Sequence, residues 1–592
     1  MNKYDFGPEI EEDGVLFRLW APLIETVSLE VDGGAPLEME RREEGWFFLK
    51  VPGAGQGTRY RFHLPDGLVV PDPASRHQPE DVFGPSEVID LSRHGERDLV
   101  WRGRPWEDMI VYELHVGSFT EEGTFSAAIE RLDHLSALGI TAIQLMPIAD
   151  FHGRWNWGYD GVLPYAADGS YGRPEDLMRL VEAAHQRGIS VFLDVVYNHF
   201  GPAGNFMPVY APLFTSHHKT PWGNGINFDA EQSQMVREFL IQNALFWLEE
   251  FRIDGLRLDA VHAIRDDSTP HFLEELSARV KERSADRHIH LIVENEENDA
   301  RLLVRGAGSP PTGFTAQWND DIHHALHVAT TGETFGYYGD YADAVSALAK
   351  ALAEGFVYQG EVMPYRGETR GQPSGHLPPM AFVSFLQNHD QIGNRANGDR
   401  VMAALPEPAL AFAATLLLLS PQIPMLFMGE EWNSSRPFPY FCDFDEELNA
   451  AVRKGRRTEL SKLPGFDSEH VLDPTAETTF RSAKLDWEAP SSASGTTWVE
   501  RYRQLIALRR ERVVPLLSHM HSGGQSVRDG KAIRVEWPLD AGRSYALVAN
   551  PTNDTLVTSL ERDLIDVVYA LGEHRPDALG PWSLVFGIKS GR

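Results

Sequence analysis

The chain has a single cysteine, Cys442, in 592 residues, so no intrachain disulfide and no thiolate metal cage can form. A reducing cytosol fits that usage best. It also lacks any apolar run long enough to span a bilayer. The greasiest stretch, "ALAFAATLLLL" at 409–419, falls well short of the roughly 20 residues a span requires and reads as a buried helix between Pro408 and Pro421. The opening "MNKYDFGPEIEEDG" carries acids where an export signal needs an apolar segment. Positive charge is scarce too: 86 acids against 54 Lys plus Arg give a formal net charge of −32, which repels nucleic-acid phosphates and anionic membranes. No strand is followed by a glycine-rich phosphate loop, which disfavours nucleotide binding. Neither a nucleic acid nor a membrane is therefore an expected partner.

What is present is an ordinary globular composition with enough hydrophobic residues for a large core, at a length that suggests about three to five structural units. Residues 1–100 read as a β-sandwich. "GVLFRLWAP" (14–22), "TVSLEV" (26–31), "GWFFLKVPG" (45–53) and "TRYRFHLPDG" (58–67) are short β-branched and aromatic runs punctuated by Gly, Pro and Asp. A Pro-rich connection follows at 70–88. From there the rhythm alternates. Strand candidates at 109–119, 141–148, 190–198, 255–261, 290–295, 313–319, 382–390 and 423–429 are separated by helical patterns such as 125–139, 173–188, 233–251 and 270–285. About eight continuously apolar strands alternating with helices predict a closed (β/α)8 TIM barrel over 101–515, ending in a helix at 498–513. Strand patterns at 532–539 and 544–552 predict a C-terminal all-β domain over 516–592. The fold class is α/β.

In such a barrel chemistry gathers where strands end at the C-terminal face. Four strand ends are unusually polar. "FLDVVYNH" carries Asp194, Asn198 and His199; "GLRLDAVH" carries Arg257, Asp259 and His262; "LIVEN" carries Glu294; "FLQNHD" carries His389 and Asp390. Arg257 and Asp259 lie two apart and share a face, with Leu256 and Leu258 on the other, so the pair points into the barrel. A buried arginine keeps a neighbouring carboxylate ionised, or the pair merely fixes strand register. Asp194 reads as an interior hydrogen-bond anchor, and each histidine alone is compatible with ordinary loop packing. Three carboxylates converging from three strand ends suit glycoside hydrolysis, which pairs an ionised carboxylate with a protonated one. A divalent metal site with oxygen ligands is the other use of such a cluster, but Arg257 would occupy the cation's electrostatic role. Trp155, Trp157 and Tyr159 in "RWNWGYDG", together with Trp318 at another strand end, suit flat sugar faces.

"DVVYNH", "GLRLDAVH", "VEN" and "FLQNHD" resemble, in order, the four signature regions of the alpha-amylase family, glycoside hydrolase family 13. "NWGYDGVLPYAADGSYG" and "IPMLFMGEEW" resemble two further regions, and the match covers most of the chain. The resemblance implies Asp259 as nucleophile, Glu294 as general acid/base and Asp390 as the carboxylate that stabilises the transition state. Tyr159, His199, Arg257, His262 and His389 would frame the sugar. Of the three glutamates in "HLIVENEEND", Glu294 is then the acid, with Glu296 further into the loop and Glu297 turned away. "NHFGPAGNFMPVYAPLF" and "AQWNDDIHHALHVATTGETFGYYGDY" resemble the members that cut the α-1,4 bond beside a terminal trehalose in maltooligosyl-trehalose. That likeness implies Trp318, Asn319, Asp320, Asp321, His323 and Gln391 as substrate-binding residues, and a maltooligosyl-trehalose synthase working upstream. No cofactor or metal is expected. Residues 200–232 look short for the calcium-binding subdomain of many amylases, although Asn198 matches a calcium-binding position in some. A glucan branching or debranching enzyme and a non-catalytic glucan-binding protein are the alternatives.

Overall fold

The computed structural model describes residues 4–93, 100–306, 308–401, 405–461, 471–560 and 563–590; residues 1–3 of the N-terminal reading lie outside this set. Eight parallel strands close into a barrel: β1 Val111–Leu114, β2 Ala142–Leu145, β3 Ser190–Val195, β4 Gly255–Leu258, β5 His290–Val293, β6 Ala316–Trp318, β7 Phe382–Phe385 and β8 Ile423–Phe427. Closure is direct, since Val111 of β1 pairs with both Ala142 of β2 and Met425 of β8. All eight strands are buried along their whole length, which explains their continuously apolar sequences. The side-chain alternation of each strand sends Leu256 and Leu258 to the helix layer and Arg257 inward, beside Asp194 in the β3–β4 register.

The N-terminal segment forms two antiparallel sheets. Gly14–Trp20 and Trp46–Pro52 centre one, and Ser28–Val31 and Arg59–His63 centre the other. Phe17 of the first packs on Tyr60 of the second, 4.7 Å between ring centroids. This unit docks on the barrel helix Ser233–Glu250. Phe6 meets Phe239 at 5.1 Å, and the Arg76 guanidinium lies 4.3 Å from the Phe246 ring centroid. Asp5 and Gln242 exchange hydrogen bonds beside them. At the C-terminus, Gln525–Asp529, Ala532–Pro538, Ser544–Asn550, Ser583–Lys589 and Leu564–Leu571 make a five-stranded antiparallel sheet. Among the described residues no helix is long and apolar enough to cross a membrane.

Some element boundaries differ from the sequence reading. The strand expected over 109–119 stops at Leu114, and Val116–Phe119 is a helical turn. The helix expected over 125–139 divides into Phe125–Ile129 and Leu132–Leu138, the second closed by Gly139 at φ 100°. Helix Glu407–Leu419 takes Pro408 into its first turn, where the missing N–H has no helical partner to lose. The last barrel helix begins at Ala493, runs to Leu508 and continues as a widened turn over Arg509–Val513.

That widened turn delivers Arg509, fully buried, to the end of helix Glu407–Leu419. Its Nη1 donates to the carbonyls of Leu418 at 3.0 Å and Ser420 at 2.5 Å, and its Nη2 donates to that of Gln422 at 2.8 Å. Burial pushes its guanidinium down to about 9, which leaves it charged at neutral pH. The last two barrel helices and the approach to β8 are thereby tied by one side chain. Arg509→Leu strands three buried carbonyls and is expected to cost about 3 kcal/mol. Calorimetry should show a lowered unfolding temperature, with unchanged kcat in the protein that remains folded.

Candidate active site

Strands β3, β4 and β5 deliver their terminal polar residues to one guanidinium. Arg257 is completely buried; its Nη1 donates to Asp194 Oδ2 at 2.8 Å and to Asp259 Oδ1 at 2.7 Å, and its Nη2 lies 3.0 Å from Glu294 Oε2. The guanidinium carbon sits 4.1 Å from the centroid of the Trp318 ring, which floors the site from the end of β6. Tyr159 donates its hydroxyl to Asp194 Oδ2 at 2.7 Å, so Asp194 is held on both sides as an anchor. Tyr159 depends in turn on Gly158, where φ is +104° and a Cβ would lie 2.0 Å from the Pro147 carbonyl oxygen. Only glycine fits there.

Just past β4 the chain turns sharply. Ala260 adopts left-handed angles, φ 40° and ψ 50°, a conformation that costs a non-glycine residue about 1–3 kcal/mol. The turn aims the Ala260 N–H at Glu294 Oε2, to which it donates at 2.8 Å. Asp259 is held by both oxygens, Oδ1 by Arg257 and Oδ2 by the Asn198 amide at 2.8 Å. The Asn198 Nδ2 also donates to the Asp259 carbonyl, and its Oδ1 faces His199 Nδ1, so this amide is engaged with its neighbours.

The two carboxyls respond oppositely to one environment. Burial pushes the Asp259 carboxyl up, but Arg257, His199 and Asn198 overcome this and hold it below the usual range. Burial pushes Glu294 up as well, and the opposing Arg257 is outweighed by the added repulsion of Asp259, Asp390 and Asp320, so its carboxyl lies well above the ordinary value. Asp194 and Asp320 are each raised to about 7, both chiefly by burial against the pull of an arginine. The side chains of Asp259, Glu294 and Asp390 retain 11, 20 and 39% exposure. The cluster therefore opens on solvent at the strand ends, where a substrate can reach it.

From β7 comes a short helix, His389–Gly393, capped by Asn388. His389 Nε2 is 3.4 Å from Asp390 Oδ2, and its Nδ1 is 2.8 Å from Glu113 Oε1 on β1. The imidazole stacks on Tyr159 at 5.1 Å and meets Trp157 edge-on at 5.2 Å. Burial alone would push the imidazolium down; Asp390 and Glu113 overcome it and raise it to about 9. His199 donates from Nε2 to the Tyr159 carbonyl at 2.9 Å, and its ring lies against Trp222 at 4.5 Å and 8°. His262 accepts the Glu296 N–H at 3.3 Å on Nδ1. Among the three clustered glutamates only Glu294 joins the acids. Glu296 pairs with Arg366, and Glu297 with Arg265 at 3.2 Å.

The residues read as a trehalose-recognising wall separate into two groups. Asp320 and Gln391 stand together near Asp390, with Gln391 Nε2 donating to Asp320 Oδ1 at 3.3 Å. The other four, each about 1% exposed, make contacts with protein groups. Trp318 lies beneath Arg257, and Asn319 donates to the Gly355 carbonyl at 3.0 Å. Asp321 pairs with Arg370 at 2.7 Å and accepts from Asn298 and the Val357 N–H. His323 bridges the Leu386 carbonyl and the Tyr338 hydroxyl. Residues 320–331 are helical, so successive side chains point in different directions and few can face one cavity. Trp155 and Trp157 are likewise packing residues, stacked on Phe480 and Phe438. Glu113 and Trp222 escaped the sequence reading. Glu113, a lone acid inside the apolar β1 run, was the available signal.

Because the His389 value is raised in the folded state, its contribution to stability is complete below about pH 6.5 and is lost as pH rises through about 9. In Glu113→Gln the imidazole NMR resonance of His389 should titrate at lower pH, and the alkaline loss of stability should begin earlier. An unchanged titration would remove Glu113 from the support of His389.

The family model for the alpha-amylase catalytic domain matches residues 94–209. A malto-oligosyltrehalose trehalohydrolase of Saccharolobus solfataricus is 42% identical over 509 residues, spanning 86% of this chain and 87% of the relative. Its counterpart from Deinococcus radiodurans is 41% identical over 537 residues, 90% of this chain and 87% of the relative. A crystal structure from Salmonella typhimurium, assigned to the alpha amylases, superposes with a TM-score of 0.95 at 44% identity and covers 99% of this chain and 100% of its own. Identity at this level across nearly the whole length of such relatives leaves one assignment: this chain belongs to the malto-oligosyltrehalose trehalohydrolases of the alpha-amylase family.

Proposed function

We propose that the chain hydrolyses the α-1,4-glucosidic bond next to the terminal trehalose of maltooligosyl-trehalose, releasing trehalose and a malto-oligosaccharide. The observation that carries the mechanism is that one guanidinium holds two carboxyls in unlike surroundings: Asp259 also accepts from Asn198 and is held below the usual range, whereas Glu294 faces other acids and is held well above it. Glu294 arrives protonated and donates to the glycosidic oxygen, while ionised Asp259 attacks the anomeric carbon. The trehalose leaves. Glu294, now a carboxylate, takes a proton from water as that water attacks the glycosyl-enzyme, which frees Asp259 and restores the acid. Asp390, beside the charged His389, steadies the positive charge that builds on the sugar ring. Contacts to adjacent nitrogens of one guanidinium keep Asp259 and Glu294 close, which favours the two-step, retaining course.

In this reading Tyr159, His199 and His262 border the reacting sugar, and Asp320 and Gln391 contribute to the far wall. Asn319, Asp321 and His323 hold that wall from behind. Residues 1–100, 101–515 and 516–592 serve as glucan-associated sandwich, catalytic barrel and C-terminal β module. The substrate's terminal trehalose has to be built by a separate enzyme, a maltooligosyl-trehalose synthase. The lone buried cysteine is in keeping with a cytoplasmic site of action.

Incubation with maltooligosyl-trehalose should yield trehalose, and incubation with a branched glucan should leave the branches intact. Cleavage or formation of branch points without trehalose release would transfer the assignment to a branching or debranching enzyme. Proton NMR of early product should show the α-anomer at the new reducing end; the β-anomer would exclude Asp259 as nucleophile. Asp259→Asn is expected to lower kcat by about four orders of magnitude, as removal of a reacting group does. Oligosaccharide Kd should change by less than about threefold, since the amide preserves shape.

A further inference from the structure

Between β3 and its following helix the chain makes a hairpin, Phe214–Thr220 paired with Gly223–Ile226, whose register shifts between Thr215 and Lys219. The shift defeats the usual alternation, so the neighbouring residues His217 and His218 turn to the same side, their rings 4.6 Å apart. Asp267 reaches toward them from the loop after β4. Its Oδ2 is 3.8 Å from His217 Nε2 and 4.0 Å from His218 Nε2. One donor atom from each of the three residues lies within 4.8 Å of the others. Asp229 closes the group from below. Its side chain is 7% exposed, its Oδ2 is 2.6 Å from His218 Nε2, and its buried Oδ1 has no partner among the described residues.

We propose that His217, His218 and Asp267, backed by Asp229, form a site for a borderline divalent transition metal such as Zn2+. Two imidazoles and a carboxylate are the donor set such ions select, whereas Ca2+ and Mg2+ take oxygen ligands. Zinc bonds of about 2.0–2.1 Å at tetrahedral angles separate neighbouring ligand atoms by about 3.3 Å, so the gaps from Asp267 to the two imidazoles need to close by less than about 1 Å. His217 and Asp267 are exposed side chains, free to make that movement. On binding, His218 Nε2 exchanges its contact with Asp229 Oδ2 for the ion and loses its proton to solvent, and Asp229 remains beside the ion as a nearly buried negative charge. Binding would clamp the hairpin to the loop that begins at His262. The hairpin tip carries Trp222, whose ring covers His199, so the ion would fix an aromatic beside the acid cluster without touching the acids.

The test uses untagged full-length protein freed of metal with EDTA and titrated with ZnCl2 by calorimetry. One ion per chain should bind at micromolar or tighter Kd, and trypsin cleavage after the exposed Lys219 should slow in its presence. His217→Ala and Asp267→Asn, both surface changes, should each weaken binding at least tenfold and abolish the protection. Absence of stoichiometric zinc binding would overturn the proposal, as would equal binding in the His217→Ala/Asp267→Asn double variant. CaCl2 competing with zinc on equal terms would overturn the choice of metal class.

Discussion

One buried positive charge organises the barrel mouth. Arg257 is surrounded by Asp194, Asp259 and Glu294, with Asp320 and Asp390 further out, so carboxyls outnumber the cations that face them. Removing such groups from water is expensive, and a guanidinium can compensate only part of it. The shortage falls unevenly because the supporting contacts are uneven. Asp259 gains Asn198 in addition to Arg257 and stays ionised. Glu294 accepts one backbone N–H and lies 3.0 Å from Arg257 Nη2 without a hydrogen bond to it, while three other acids repel it, so protonation is favoured. An acid and a nucleophile are thus generated beside a common cation, with no need for one to be placed far from the other.

The backbone is arranged to keep that balance. Ala260 holds left-handed angles that a non-glycine residue resists, and the reward is an N–H directed at Glu294. Gly158 yields its side chain to the Pro147 carbonyl and thereby sets Tyr159 against Asp194. His389, past the end of β7, is secured by Glu113 from β1, the next strand but one in the closed barrel. Strain and close approach are concentrated at the strand ends, while the strands beneath are regular and apolar.

Much of this was legible in the residues. Two-residue spacing in "GLRLDAVH" put Arg257 and Asp259 on one face opposite two leucines, and the barrel was readable from strands apolar throughout. What escaped was information that no short stretch contains. Glu113 meets His389 across 276 positions of sequence. The family resemblance marked Asn319, Asp320, Asp321 and His323 together; in the fold Asp320 stands near Asp390 while Asn319, Asp321 and His323 are buried among protein groups. Trp155 and Trp157 satisfy the same aromatic pattern as sugar platforms and prove to be packing. Composition does not distinguish a ring that faces solvent from one that faces phenylalanine; the partner does.

The seat of the N-terminal sheets has a practical corollary. Helix Ser233–Glu250 presents Phe239 and Phe246 on the side away from the strands, and Phe6, Tyr4 and Arg76 cover them. A barrel excised at residue 100 would carry a greasy stripe in water and invite self-association. The first hundred residues are consequently a cladding of the barrel wall, and shuffling them as an independent cassette would expose what they insulate.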